Sequence, residues 1–130
     1  MNYIIKQIND NEFKKIYYNN SKKIKKEIYE NNKLKLYIEY EYKSNEVICN
    51  CYENSYKSSY IKYYDDNNYK IKKCYYDRFN DLMSTYKYYY NNNKLIKQEF
   101  YGPFNELINV IKYYYKDNKL IKTEKININN

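Results

Sequence analysis

The chain has 130 residues and carries 24 Lys and Arg against 16 Asp and Glu, for a net charge of +8 with no His. That length fits one domain, the lack of histidine removes the commonest general base and metal ligand, and a single Gly excludes a glycine-rich phosphate loop. Lys, Asn, Ile and Tyr make up 84 residues and can all be encoded with A and T alone, so the basic charge reads equally as genome bias or as the mark of an anionic partner.

Taken in chain order, the opening MNYIIKQINDNEF has no apolar run of the length a secretory signal needs, and no later stretch approaches a membrane helix. The expectation is a cytoplasmic chain with no membrane contact. From Lys14, KKIYYNNSKKIKKEIY places a Tyr pair before a polar turn and an Ile after it. Ile24 and Ile28 lie four apart and would suit a helix, but the matching segments further on read as strands, so this one is read as a strand too. IEYEYKSNEVICNCY from Ile38 is the most divergent copy, and IKYYDDNNYKIKKCYY from Ile61 keeps the Tyr cluster, the Asn and the Ile. YKYYYNNNKLIKQEFY (86–101) then overlays IKYYYKDNKLIKTEKI (111–126) without a gap.

These copies make a repeat. Ser21, Asn45, Asn68, Asn93 and Asn118 recur at spacings of 24, 23, 25 and 25 residues, each followed three places on by Ile24, Ile48, Ile71, Ile96 and Ile121. A second turn signal falls half a period later, at ENNK (30–33), ENSY (53–56), RFND (78–81) and GPFNE (102–106). Each unit therefore reads as strand, turn, strand, turn, in units of approximately 14–37, 38–60, 61–85, 86–110 and 111–130 of one repeat domain. The predicted fold is all-β, a single antiparallel meander of about eleven strands curled into a trough or open barrel.

Turn length decides which side chains share a face. A three-residue loop ending in a left-handed Asn collects Ile38, Tyr40 and Tyr42, Ile61 and Tyr63, Tyr86, Tyr88 and Tyr90, and Ile111, Tyr113 and Tyr115 on one side. The repeat isoleucines Ile24, Ile48, Ile71, Ile96 and Ile121 are expected there as a structural core, with Ile28, Tyr52, Tyr75 and Phe100. The other side then carries Lys25, Lys72, Lys97 and Lys122, with Glu27, Glu99 and Glu124 two residues along and Tyr17, Tyr64, Tyr89 and Tyr114 among them. Such a face reads either as solvated surface or as a binding surface, because tyrosine offers large contact area at low entropic cost. The candidate partner-binding residues are Tyr64, Tyr89, Tyr114, Lys72, Lys97, Lys122 and Glu99.

The stretches YYYNNNKLIKQEFYG (88–102) and YYYKDNKLIKTE (113–124), with weaker matches at 17–30 and 63–76, resemble the MORN-variant repeats of bacterial antitoxin and immunity proteins. The family's turn glycine is replaced by Asn or Ser in every copy, and the one glycine, Gly102, falls in a second turn. The resemblance implies a non-catalytic module of curled hairpins that binds and neutralises another protein, most often a toxin.

The residues agree with a non-enzyme that needs no cofactor and no metal, since no nucleophile elbow or paired-carboxylate motif is present and Asp65 and Asp66 fall in a turn. Cys49, Cys51 and Cys74 are read as reduced structural thiols, with Cys51 and Cys74 too far apart, on strands two apart, for an undistorted disulfide. Other readings stay open: a phage-encoded, anti-CRISPR-like inhibitor of a bacterial defence nuclease, and a basic single-stranded nucleic-acid-binding module. The apolar face must also be covered, by curling, by a second copy of the chain or by the partner.

Overall fold

Tyr and Ile suit pleated, half-buried strands, and Asn, Asp and Ser interrupt them at short intervals, so the chain folds as hairpin after hairpin. The computed structural model describes residues 2–54 and 56–128; Ser55, in one of the second turns, lies outside the described residues. Its eleven strands are β1 (Asn2–Gln7), β2 (Glu12–Asn19), β3 (Lys22–Glu30), β4 (Lys33–Lys43), β5 (Glu46–Glu53), β6 (Tyr56–Tyr64), β7 (Lys70–Tyr76), β8 (Leu82–Asn91), β9 (Lys94–Tyr101), β10 (Leu107–Lys116) and β11 (Lys119–Asn127). All pair antiparallel in sequence order within one sheet. The sheet stays open, because strand contacts join sequence neighbours only and β1 does not meet β11.

Asparagine makes the turns. Among the described residues thirteen that are not Gly have positive φ, and all are Asn except Ser21 and Asp117. The five expected turn residues, Ser21, Asn45, Asn68, Asn93 and Asn118, all belong to this set, with φ from 62° to 66°. Asn tolerates this region because its short amide can bond locally and its side chain is slim.

The loops are shorter than expected. Between β2 and β3, β8 and β9, and β10 and β11 they hold two residues, both left-handed: Asn20 and Ser21, Asn92 and Asn93, Asp117 and Asn118. Such a turn follows the strand twist, and the residue it saves is set into the next strand as a β-bulge. Ile24 with Lys25 opposes Tyr17, Ile71 with Lys72 opposes Tyr63, Ile96 with Lys97 opposes Tyr89, and Ile121 with Lys122 opposes Tyr114.

This corrects the expected core. Four of the repeat isoleucines are the extra residues of bulges, and Ile71, Ile96 and Ile121 are exposed at 40%, 38% and 62%. Ile24 is half-buried, and Ile48, in a hairpin without a bulge, stands opposite Glu41 and is half-buried too. The buried apolar residues are instead Ile16, Ile38, Cys49 and Cys74.

Register also fixes the two faces. Tyr40, Tyr42, Tyr75, Tyr86, Tyr88, Tyr90, Phe100, Ile111, Tyr113 and Tyr115 share one side, as expected. Ile61, Tyr63 and Tyr52 do not, because the β4–β5 and β5–β6 pairings run without a bulge and bring Ile48 opposite Ile61 and Glu46 opposite Tyr63. Cys51 and Cys74 consequently lie on opposite faces, and all three cysteines are free thiols.

The bulges at Ile24, Ile71 and Ile96 each release a backbone carbonyl that the next strand satisfies. The hydroxyls of Tyr42, Tyr90 and Tyr115 donate to the carbonyls of Lys23, Lys70 and Leu95 at 2.7, 2.8 and 2.7 Å. Each accepting residue immediately precedes a bulged isoleucine. Tyr64, at the equivalent place after the unbulged β4–β5 hairpin, makes no such bond among the described residues.

Candidate functional site

The bulges place the Lys ladder. At each of the four isoleucine bulges a Lys stands opposite a Tyr, and its ammonium lies over the ring: Lys25 over Tyr17 at 5.9 Å, Lys72 over Tyr63 at 4.5 Å, Lys97 over Tyr89 at 4.4 Å and Lys122 over Tyr114 at 5.5 Å. Two residues along the strand a Glu accepts from the same tyrosine. Tyr17 donates to Glu27 at 2.7 Å, Tyr89 to Glu99 at 2.5 Å and Tyr114 to Glu124 at 3.1 Å. In the third unit Cys74 takes the place of the Glu and packs against Thr85.

Each triad is electrically balanced within itself. Burial pushes the Glu99 carboxyl up, but the hydroxyls of Tyr89 and Tyr101 and the ammonium of Lys97 outweigh it and hold the group below the usual carboxylate range. Tyr89 moves the other way, to about 12, because its bond to Glu99 favours the neutral phenol and burial adds to it. Glu27 is likewise held low, with burial opposed by the hydroxyls of Tyr17 and Tyr29 and by Lys25. Lys25 and Lys97 complete the triads as ion pairs at 3.5 and 3.8 Å.

Of the candidate residues, Tyr89, Tyr114, Lys72, Lys97, Lys122 and Glu99 all fall on this ladder face. Tyr89, Lys97 and Tyr114 also line one shallow trough, with Ile96 and Lys112. Tyr64 is a correction: it lies on the opposite face and Tyr63 takes the ladder position. The cause is the five-residue turn Asp65–Tyr69, in which the Asp65 carboxylate caps the N–H groups of Asn67 and Tyr69, both at 2.9 Å. Counting back from that turn, rather than forward from Ile61, would have assigned Tyr63.

Sequence reasoning missed the apolar half of this surface. The exposed Ile71, Ile96 and Ile121 stand beside the Lys–Tyr pairs because each is the partner residue of its bulge. The face therefore repeats Ile, Lys and Tyr at the β2–β3, β6–β7, β8–β9 and β10–β11 hairpins, with a Glu in all but the β6–β7 hairpin. Among the described residues no group of His, Cys, Asp and Glu is arranged to hold a metal ion. The chain matches no protein-family model and no curated protein.

Proposed function

We propose that the protein is a non-catalytic inhibitor that binds another protein through the ladder face of its C-terminal units, acting as an immunity or antitoxin protein against a cognate toxin. One observation carries the reading: tyrosines contacted by a lysine above and a carboxylate beside them stand next to exposed isoleucines, with Tyr89, Tyr114 and Ile96 lining one shallow trough. Rigid aromatic anchors next to apolar area, rimmed by balanced charge, are the composition of protein-binding surfaces. The toxin as target rests on the resemblance of the repeats to MORN-variant antitoxins.

Coexpression with each candidate toxin found near its gene tests this. The wild-type chain should restore growth, and the double substitution Tyr89→Ala, Tyr114→Ala should fold normally yet bind the toxin at least about 30-fold more weakly. Failure of the wild-type chain to protect would overturn the inhibitor reading, and unchanged affinity of the double variant would overturn the site.

A further inference from the structure

The face opposite the ladder was expected to be apolar, and it carries most of the expected aromatic residues together with a set of lysines that was not expected there. Lys14, Lys23, Lys26, Lys62, Lys70 and Lys73 lie on it, all half-buried. None of these six takes part in an ion pair among the described residues, where Lys25, Lys35 and Lys97 supply every pairing. The carboxylates on this side, Glu12, Glu30 and Glu53, sit at strand ends, away from the middle of the sheet. The mid-sheet carboxylates lie on the other side: Glu27, Glu39, Glu41, Glu99 and Glu124 all belong to the ladder face, where they accompany that face's own lysines.

The register makes this costly. Lys62 stands directly opposite Lys73 on adjacent strands, a like-charge pairing that destabilises a sheet. Burial, together with the charges of Lys14, Lys23 and Lys62, holds Lys26 below the usual ammonium range, and burial with Lys73 and Lys62 does the same to Lys70. Half-buried ammonium groups that repel one another and lack a counterion are relieved when an anion joins them.

Aromatic rings run through the same patch. Tyr60 and Tyr75 lie 5.6 Å apart, Tyr75 and Tyr86 6.0 Å, and Tyr86 and Phe100 4.8 Å, so that one ring follows another from β6 to β9. Lysines sit over several of them, Lys73 over Tyr60 at 4.6 Å and Lys70 over Tyr88 at 4.6 Å. A second copy of the chain docked here would bring two uncompensated lysine clusters together, which argues against a dimer through this face.

We propose that this basic face binds single-stranded nucleic acid, the lysines taking phosphates and the tyrosine row stacking bases. An acidic protein surface would satisfy the lysines but leave the aromatic row unexplained, whereas a single strand offers a phosphate and a flat ring at every step. The proposal is independent of the ladder face, whose lysines enter its test only as a control.

The test is fluorescence anisotropy of a labelled oligothymidylate of roughly 16 nucleotides, titrated across a salt series. With about four phosphates engaged, the logarithm of affinity should fall against the logarithm of salt with a slope near about −3, and Lys62→Gln with Lys73→Gln should reduce that slope by about 1.4. Lys97→Gln with Lys122→Gln, on the other face, should change nothing. Tyr88→Leu, checked for folding by circular dichroism, should weaken oligothymidylate binding at least about fivefold while leaving binding of inorganic polyphosphate unchanged. Lack of binding at low salt overturns the proposal, as does equal loss from both lysine pairs. Polyglutamate bound as tightly as the oligonucleotide, with no effect of Tyr88→Leu, overturns it in favour of an acidic protein partner.

Discussion

A tyrosine hydroxyl does here what a backbone N–H does in a regular sheet. The bulge frees a carbonyl, and Tyr42, Tyr90 or Tyr115 reaches back from the following hairpin to occupy it. Chemistry and position together explain why the last tyrosine of these strands recurs, where phenylalanine would pack as well. Tyr115→Phe should therefore lower stability in urea by about 0.5–1.5 kcal/mol, the usual net worth of one such bond. Tyr64→Phe should cost nothing measurable, because no bulge precedes it and its hydroxyl meets no carbonyl among the described residues. Equal costs at both positions would separate the hydroxyls from the bulges. The left-handed asparagines were legible in the sequence because that conformation has a residue preference. The hydroxyl-to-carbonyl bonds were not, because they depend on register across a bulge, which no single residue announces.

Three of the turns are variations on one element. In Asp65–Tyr69 and Asp77–Asp81 the first residue caps the loop from inside, Asp77 accepting from Phe79 at 2.9 Å and Asp81 at 3.0 Å. The turn Gly102–Glu106 has the same backbone bonds and the same left-handed Asn at its fourth place, yet no carboxylate at its first. Glu106 supplies it from the other end, accepting from Phe104 at 3.0 Å. The space is taken: a Cβ at position 102 would lie 2.1 Å from the Glu106 carboxylate oxygen. The φ of Gly102 is not positive, so room for this carboxylate, rather than backbone freedom, accounts for the glycine. Glu106→Ala should cost about 1 kcal/mol, and Gly102→Asp alone should also destabilise. Combined, the two should recover most of the loss, because Asp at 102 restores the cap used in the sister turns; simple additivity in a double-mutant cycle would refute the exchange. Half-period turn signals located this turn from sequence, but the swap of cap for cap could not be read there. Nor could the bulges, since a two-residue turn plus one bulged residue and a three-residue loop consume the same length of chain. The ladder lysines came out on the right face for that reason, while the bulged isoleucines did not.

At the scale of the molecule, the sheet is a chain of neighbours without a second layer. Its accessible surface of 9420 Å² exceeds the about 7,500 Å² expected for a compact protein of this mass, and among the described residues the buried apolar core is reduced to Ile16, Ile38, Cys49 and Cys74. Strand contacts never skip a neighbour, so stability is a sum over adjacent pairs, as in other repeat proteins. The two end strands contribute least: β1 is exposed along its whole length and β11 along nearly all of it. Buried residues cluster between β2 and β8, where Ile16, Glu27, Ile38, Cys49, Cys74 and Thr85 lie. Native-state hydrogen exchange should accordingly show graded protection, highest for amides of β3 to β8 and falling hairpin by hairpin toward β1 and β11. In low urea the end hairpins should open before the middle, and the C-terminal ladder tyrosines, Tyr89 and Tyr114, should lose protection in that order reversed, Tyr114 first. A binding partner on the ladder face would raise protection at β10 and β11 most, because ordering an end is where a contact adds the most. One uniform opening free energy across all strands would show instead that the sheet folds as a single unit and that both faces are coupled through it.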